Sequence, residues 1–340
     1  MEYHKLEKLN QSLLKQILKH PQSFIETEKR FKQQLIDKEN GIIEKIKPHF
    51  LFGKIVDFML TEDSEFEDTF YIMKNIKMPS DTIIDIVSIV FNEYRDSGEL
   101  GDHKGAVLEA AARFNYQPTY KEETRFQKII EAGSDYFKIL QESANKLIIS
   151  EEEYSKALIA CAALKSDPYT KQYLVKTKDV EIIKKPIIEF TFQGVDFKGE
   201  LDIVTINHSK KKIYPVDIKT MSGHISEFST SFFKYRYDFQ AAFYDKGIRE
   251  YPVIKKLISE GYTVDYFKFL VIEKECKNSP MVYTTTHEIL KLGALGGTLS
   301  SGKKLEGIVS AIKRFKYHND NDSWDHCAEY YECGEMKLEI

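Results

Sequence analysis

The chain has 340 residues, 42% of them hydrophobic and 30% charged, with a formal net charge of −4 at pH 7. This composition excludes a chain too polar to fold, and no apolar run approaches the roughly 20 residues that span a bilayer. The charge excludes a global positive field of the kind that coats nucleic acid, while leaving room for a local basic groove.

The first 175 residues read as mostly helical. Ser12 is positioned to cap LLKQILK, and Pro21 closes that apolar stripe. Phe52, Ile55, Val56, Met59 and Leu60 recur at helical spacing, and Ser80 opens a further helix. Lys121 to Lys146 forms a long amphipathic pattern, and Ser150 with Glu153 makes a capping box before EEEYSKALIACAAL. The opening MEYHKLEKLNQSLLKQ lacks the apolar segment of a secretory signal, so we expect a cytoplasmic protein without membrane association.

Near Lys178 the character changes. VEIIKKPIIEFTF, DFKGELDIVTI and KKIYPVDIKT are rich in β-branched and aromatic residues, with Asn207-His-Ser-Lys as a hairpin loop. A helix is expected from about Ser226 to Arg249, strands at DYFKFLVIE and MVYTTT, and a helix from about His287 to Phe315, broken at its glycines. The domains expected are a helical region over 1–175 that contributes a wall of the active site, an α/β core with a mixed sheet over 176–320, and a tail over 321–340. Cys161, Cys276, Cys327 and Cys333 are scattered without a C-x-x-C pair, the pattern of buried free thiols.

The strands carry charges where apolar side chains are expected. Asp217 and Lys219 alternate onto one face, and a hairpin brings Asp202 from the preceding strand beside them. An unpaired carboxylate among apolar side chains is costly, and two adjacent ones repel. Two arrangements satisfy these charges. Lys219 bridges the acids as a buried ion pair, or a divalent metal sits between them with Lys219 beside it. In KYRYDFQAAFY, Gln240 and Tyr244 share a helix face, so Gln240 can hold Lys219 or a phosphate while Arg236 meets a DNA backbone.

These pieces resemble a family. GELD, then VDIKT, then QAAFY look like the core of the PD-(D/E)XK nucleases in their RecB-like branch, marked by G-x-x-D, D/E-x-K and Q-x-x-x-Y. Within it the chain is most similar to phage-type DNA exonucleases related to RecE and lambda exonuclease. LNQSLLKQILKHPQSF, FGKIVDFMLTED and FKFLVIEKE followed by PMVY extend the likeness over pieces from about Leu9 to Tyr283.

The resemblance implies a restriction-endonuclease-like α/β fold and an Mg²⁺ site, with Mn²⁺ as a substitute. Asp202, Asp217 and the Ile218 carbonyl would be metal ligands and Lys219 the catalytic lysine, with Gln240, Tyr244, Ser12 and Thr220 in supporting or DNA-binding places. Asp57 stands four residues after Gly53, where relatives carry a metal-ligating histidine, and would be a further metal ligand. A carboxylate suits Mg²⁺ at least as well, and His49 and His103 do not fit that position. Glu200 is an alternate ligand and Glu189 a weaker one. Cys327 and Cys333 do not match the spacing of an iron–sulfur relative, so no cluster is expected. The implied activity is a DNA exonuclease that prepares single-stranded ends for recombination or replication, phage-encoded and acting in the host cytoplasm. The implied partners are DNA, a single-strand annealing protein and further copies of the chain. An endonuclease of the same class, or an inactive DNA-binding or assembly protein, stays open.

Overall fold

The computed structural model describes residues 8–39, 48–73, 78–95, 97–143 and 146–336. The chain divides into two compact units, one of Met1–Leu35, Lys47–Glu62 and Lys156–Ile340, the other of Ile36–Ile46 and Asp63–Ser155. The helices before residue 175 are therefore shared between the units.

The first unit is built on a mixed sheet. Its order is Met281–Thr284, Lys268–Glu273, Lys212–Met221, Ile203–Asn207 and Val180–Lys184, with the short Thr263–Val264 also pairing Lys212–Met221. Lys212–Met221 is central, parallel to Lys268–Glu273 and antiparallel to Ile203–Asn207. Every residue of Lys268–Glu273 is buried, as a strand covered on both faces requires. The expected loop after Asn207 is present, and its side chain accepts the Lys210 N–H at 2.9 Å.

VEIIKKPIIEFTF is not one strand. Val180–Lys184 joins the main sheet, whereas Ile187–Phe192 pairs with Val195–Glu200 in a separate hairpin. Between them Lys185 takes a left-handed backbone (φ 45°) and Pro186 has no N–H to give. Main-chain bonds still bridge the bend, from Lys185 N–H to the Asp202 carbonyl at 3.0 Å and from Leu201 N–H to the Pro186 carbonyl at 3.3 Å.

Two other expectations are corrected. Asn10, not Ser12, caps the first helix, Gln11–Gln16, by accepting the Leu13 N–H at 2.8 Å. The helix expected over 226–249 is broken by Arg236, whose left-handed backbone (φ 59°) separates Phe228–Lys234 from Tyr237–Ile248. The stretch 287–315 is broken at its glycines as expected, and the break between the helices His287–Leu295 and Ile308–Asn321 holds a small hairpin of Gly296–Thr298 with Lys304–Glu306.

Tyr237–Ile248 is almost wholly buried, which sets how closely it can approach the strands. A Cβ on Gly199 would stand 2.7 Å from Tyr244 Cε1, so only glycine leaves room for that ring. Phe228, Phe239, Phe243, Phe267 and Phe269 fill the core beside it, each worth roughly 1.5–3 kcal/mol of burial. Trp324 stacks on Phe24 at 5.3 Å and so draws the tail onto this unit.

The second unit packs Asp81–Tyr94, Lys104–Arg113 and Glu122–Glu142 around Ile86, Val87, Ile129 and Phe137. Phe70–Met73 and Leu147–Ser150 form its parallel strand pair. Ser150 accepts the Glu153 N–H at 3.1 Å, as the capping box predicts. No helix among the described residues is long and apolar enough to cross a membrane. The four thiols are free, but only Cys161 is buried as expected; Cys276 and Cys327 are half-buried and Cys333 is exposed. Burial pushes the Cys161 thiol up to about 12, away from reactivity.

Candidate active site

The central strand and its antiparallel neighbour part company at the site. Their pairing ends at Ile203 against Val216, which leaves the next peptide of the central strand free on that side. Asp202 stands at this fork, and its Oδ2 accepts the Ile218 N–H at 2.8 Å. A strand residue directs its N–H and C=O toward the same edge, so the Ile218 carbonyl faces the Asp202 side as well. The carboxylate and carbonyl expected to share a ligand are brought to one place by the backbone itself.

Asp217 is 4% exposed. Its Oδ1 accepts from Gln240 Nε2 at 2.7 Å, and the Lys219 ammonium lies against its Oδ2. That second contact is electrostatic, for Oδ2 has no aligned hydrogen bond. Burial, then the charge of Asp202, push the Asp217 carboxyl up to about 7 against the pull of Lys219. Burial alone would lower the Lys219 ammonium, but Asp217 and Asp202 outweigh it and raise it. Lys219 is thus held as a cation, with Nζ 4.8 Å from the Tyr237 ring centroid and 6.0 Å from that of Phe269.

The helix Pro48–Thr61 supplies the next acid. A Cβ on Gly53 would stand 2.9 Å from Thr220 Oγ1, so this glycine allows the helix to lie close on the central strand. One turn later comes Asp57. It reaches Asp202 through Lys185, whose Nζ donates to Asp57 Oδ1 at 2.8 Å and Oδ2 at 2.7 Å and to Asp202 Oδ1 at 3.1 Å. Burial first, and Asp202 second, push the Asp57 carboxyl up to about 6 even so.

The remaining candidates divide. Tyr244 supports the site from behind, its hydroxyl donating to the Glu200 carbonyl at 2.9 Å. Glu200 is half-buried, and burial raises its carboxyl. Glu189 is paired with Lys8 at 2.6 Å on the outer hairpin. Ser12 is bonded to Gln11 at 2.9 Å, while Lys15, one turn on, places its ammonium 3.1 Å from the Tyr235 carbonyl. Burial, then the charges of Arg236 and Lys219, push Lys15 down to about 8. Arg236, expected on a DNA backbone, grips Asp238 in the free chain with two bonds of 3.0 Å and the Glu306 carbonyl at 2.6 Å. The side chain of His49 lies outside what the structure describes, and His103 belongs to the second unit, 2.7 Å from the Ser97 carbonyl.

Lys185, Lys15 and Tyr237 were missed from sequence. For Lys185 the signal was present, since a Lys-Pro pair inside an apolar run marks a bend rather than a continuous strand.

Among the described residues no three His, Cys, Asp or Glu side chains stand close enough to hold a metal by themselves. The donors here fit a different kind of site. Two carboxylates, one with a buried oxygen lacking a hydrogen bond, flank a main-chain carbonyl, and Mg²⁺ completes such partial shells with water and phosphate.

A mixed sheet with an acid at a strand fork, an acid and a lysine on the central strand, and a glutamine from the covering helix defines a protein of the PD-(D/E)XK nuclease class. The chain belongs to the family described as PDDEXK-like domain of unknown function (DUF3799), whose model matches residues 11–296. It is also similar to a crystal structure described as "Putative exonuclease" from Eubacterium rectale, with 14% identity and a TM-score of 0.36 over 75% of this chain and 83% of that one. No curated protein matches the chain.

Proposed function

We propose that the chain is an Mg²⁺-dependent DNA exonuclease that hydrolyses phosphodiester bonds to leave single-stranded ends. The observation that carries this reading is the meeting of Asp202, Asp217, Lys219, Gln240 and the Ile218 peptide around one fork in the sheet. Asp202, Asp217 and the Ile218 carbonyl, joined by Asp57, would hold the cation, which would polarise the phosphate and lower the pKa of bound water. Gln240 fixes the rotamer of Asp217 by occupying Oδ1, so that Oδ2, which lies against the Lys219 ammonium, is the oxygen turned toward the cation. Lys219, kept charged, is suited to stabilising the phosphate in the transition state and to handing a proton to the leaving oxygen, not to taking one from water.

Purified chain should degrade linear duplex DNA with Mg²⁺ or Mn²⁺, leave a covalently closed circle intact, and cleave neither DNA in a chelator. Asp217→Ala and Lys219→Ala should abolish cleavage while the circular dichroism spectrum is retained. Metal-dependent hydrolysis surviving in those variants would sink the assignment. Cleavage of the circle would give an endonuclease of the same class. A time course on 5′- and 3′-labelled ends reads the polarity.

A further inference from the structure

The acids at the fork are explained by the metal reading, but Lys185 is not. Its ammonium sits on both Asp57 and Asp202, within 2.7–3.1 Å of three carboxylate oxygens, and its side chain is only 17% exposed. Its main chain is fastened to the same place, with the N–H on the Asp202 carbonyl at 3.0 Å. The left-handed backbone at φ 45° is one that a lysine adopts at a cost. Such a conformation persists where surrounding structure over-determines it. Here the Pro186 bend, the N–H bond and the ion pairs all hold the side chain in place.

The consequence concerns Asp202 Oδ1. Its other oxygen already accepts the main-chain N–H of Ile218, so a cation that takes Oδ1 must contend with Lys185, which lies on that oxygen. Two positive charges on one carboxylate oxygen repel, and each offers the acids the same compensation. Resting on the metal site proposed above, we infer that Lys185 is a tethered competitor for the divalent cation. It pairs with both Asp57 and Asp202 in the metal-free chain, offsetting one of their two charges, and leaves Asp202 when the metal binds. This keeps the acid cluster compatible with folding before metal is present, and weakens metal binding in return.

Titration calorimetry with MnCl₂ and no DNA tests the inference on the full chain. Lys185→Asn and Lys185→Gly both tolerate φ 45° and remove the charge. Each should bind Mn²⁺ roughly tenfold more tightly than the wild type, the scale of one charge-assisted contact. Their metal-free melting temperatures should fall, with the loss recovered at saturating Mn²⁺. A second measurement needs no variant. Acylation of lysines in the wild type, read by mass spectrometry, should leave Lys185 protected in chelator and expose it when Mn²⁺ is added. Equal or weaker binding by the variants, or protection unchanged by Mn²⁺, overturns the competitor role while the metal site stands. No Mn²⁺ binding by any form overturns the metal site and this inference with it.

Discussion

Gln240 Nε2 donates to Asp217 Oδ1 across 2.7 Å, joining a buried helix to a buried strand acid. The bond ties the Q-x-x-x-Y helix to the D-x-K strand in the metal-free chain, and it holds the carboxylate whichever cation lies on its other oxygen.

Removing it should therefore cost stability as well as activity. Gln240→Ala leaves Asp217 Oδ1 buried without a donor, a penalty of about 1–3 kcal/mol. Gln240→Glu should be worse, because it sets a second carboxyl against one already resisting ionisation. Denaturant unfolding in chelator measures both. An unchanged midpoint in Gln240→Ala would show that the bond holds nothing.

The raised carboxyls dictate a pH dependence. Asp217 goes from an ordinary 3.8 to about 7, and Asp57 from 3.8 to about 6. Between those limits the folded chain binds protons that the unfolded chain does not, so stability falls as pH rises through the window and levels above it. Measured in chelator from about pH 5 to about pH 8, wild type should lose stability relative to Asp217→Asn, a variant that cannot ionise there. Protons compete with metal for the same oxygens, so Mn²⁺ affinity should climb over the same interval. A wild-type advantage that grows with pH in the absence of metal would contradict this order of charges.

Arg236 and Asp238 make a separate, structural pair. Asp238 is wholly buried, and its two oxygens each accept a 3.0 Å bond from the guanidinium. Breaking a buried pair by removing one partner costs about 3–5 kcal/mol. Arg236→Ala should lower stability on that scale, with Arg236→Lys only partly restoring it because the bidentate fork is lost. Normal stability combined with weakened DNA binding would return Arg236 to the DNA-contacting role read from sequence.

How much of this was legible in the sequence follows from the kind of physics involved. Asp202, Asp217, Lys219 and Gln240 could be grouped because period-two and period-four spacing fix faces, and charges in apolar strands stand out. The strands, the Asn207 loop and the capping box at Ser150 are equally local. Arg236 could not be placed, since a single left-handed residue splits a helical pattern without altering its periodicity. Lys185 lies 128 residues from Asp57, and its role depends on a bend that brings three segments together. Asn10 and Ser12 are both good caps by residue type, and only the φ/ψ of the chain decides which one serves.

Gly53 and Thr220 offer a test in which the sign of the effect is informative. In an uncrowded helix interior, replacing glycine by alanine stabilises by about 1 kcal/mol. Here a Cβ would stand 2.9 Å from Thr220 Oγ1, and threonine is stiff at χ1, so the helix itself must retreat from the strand. Overpacking of this kind costs about 1–3 kcal/mol, enough to outweigh the helix preference. Gly53→Ala should therefore destabilise the wild type, yet stabilise a Thr220→Ala background in which the oxygen is gone. Because Asp57 rides on the same helix one turn later, the single variant should also weaken Mn²⁺ binding, and Thr220→Ala should restore it. A double-mutant cycle by unfolding, with calorimetry on the same four proteins, reads both effects. Stabilisation by Gly53→Ala in the wild type would mean that the helix does not rest on Thr220 and that the position of Asp57 is set elsewhere.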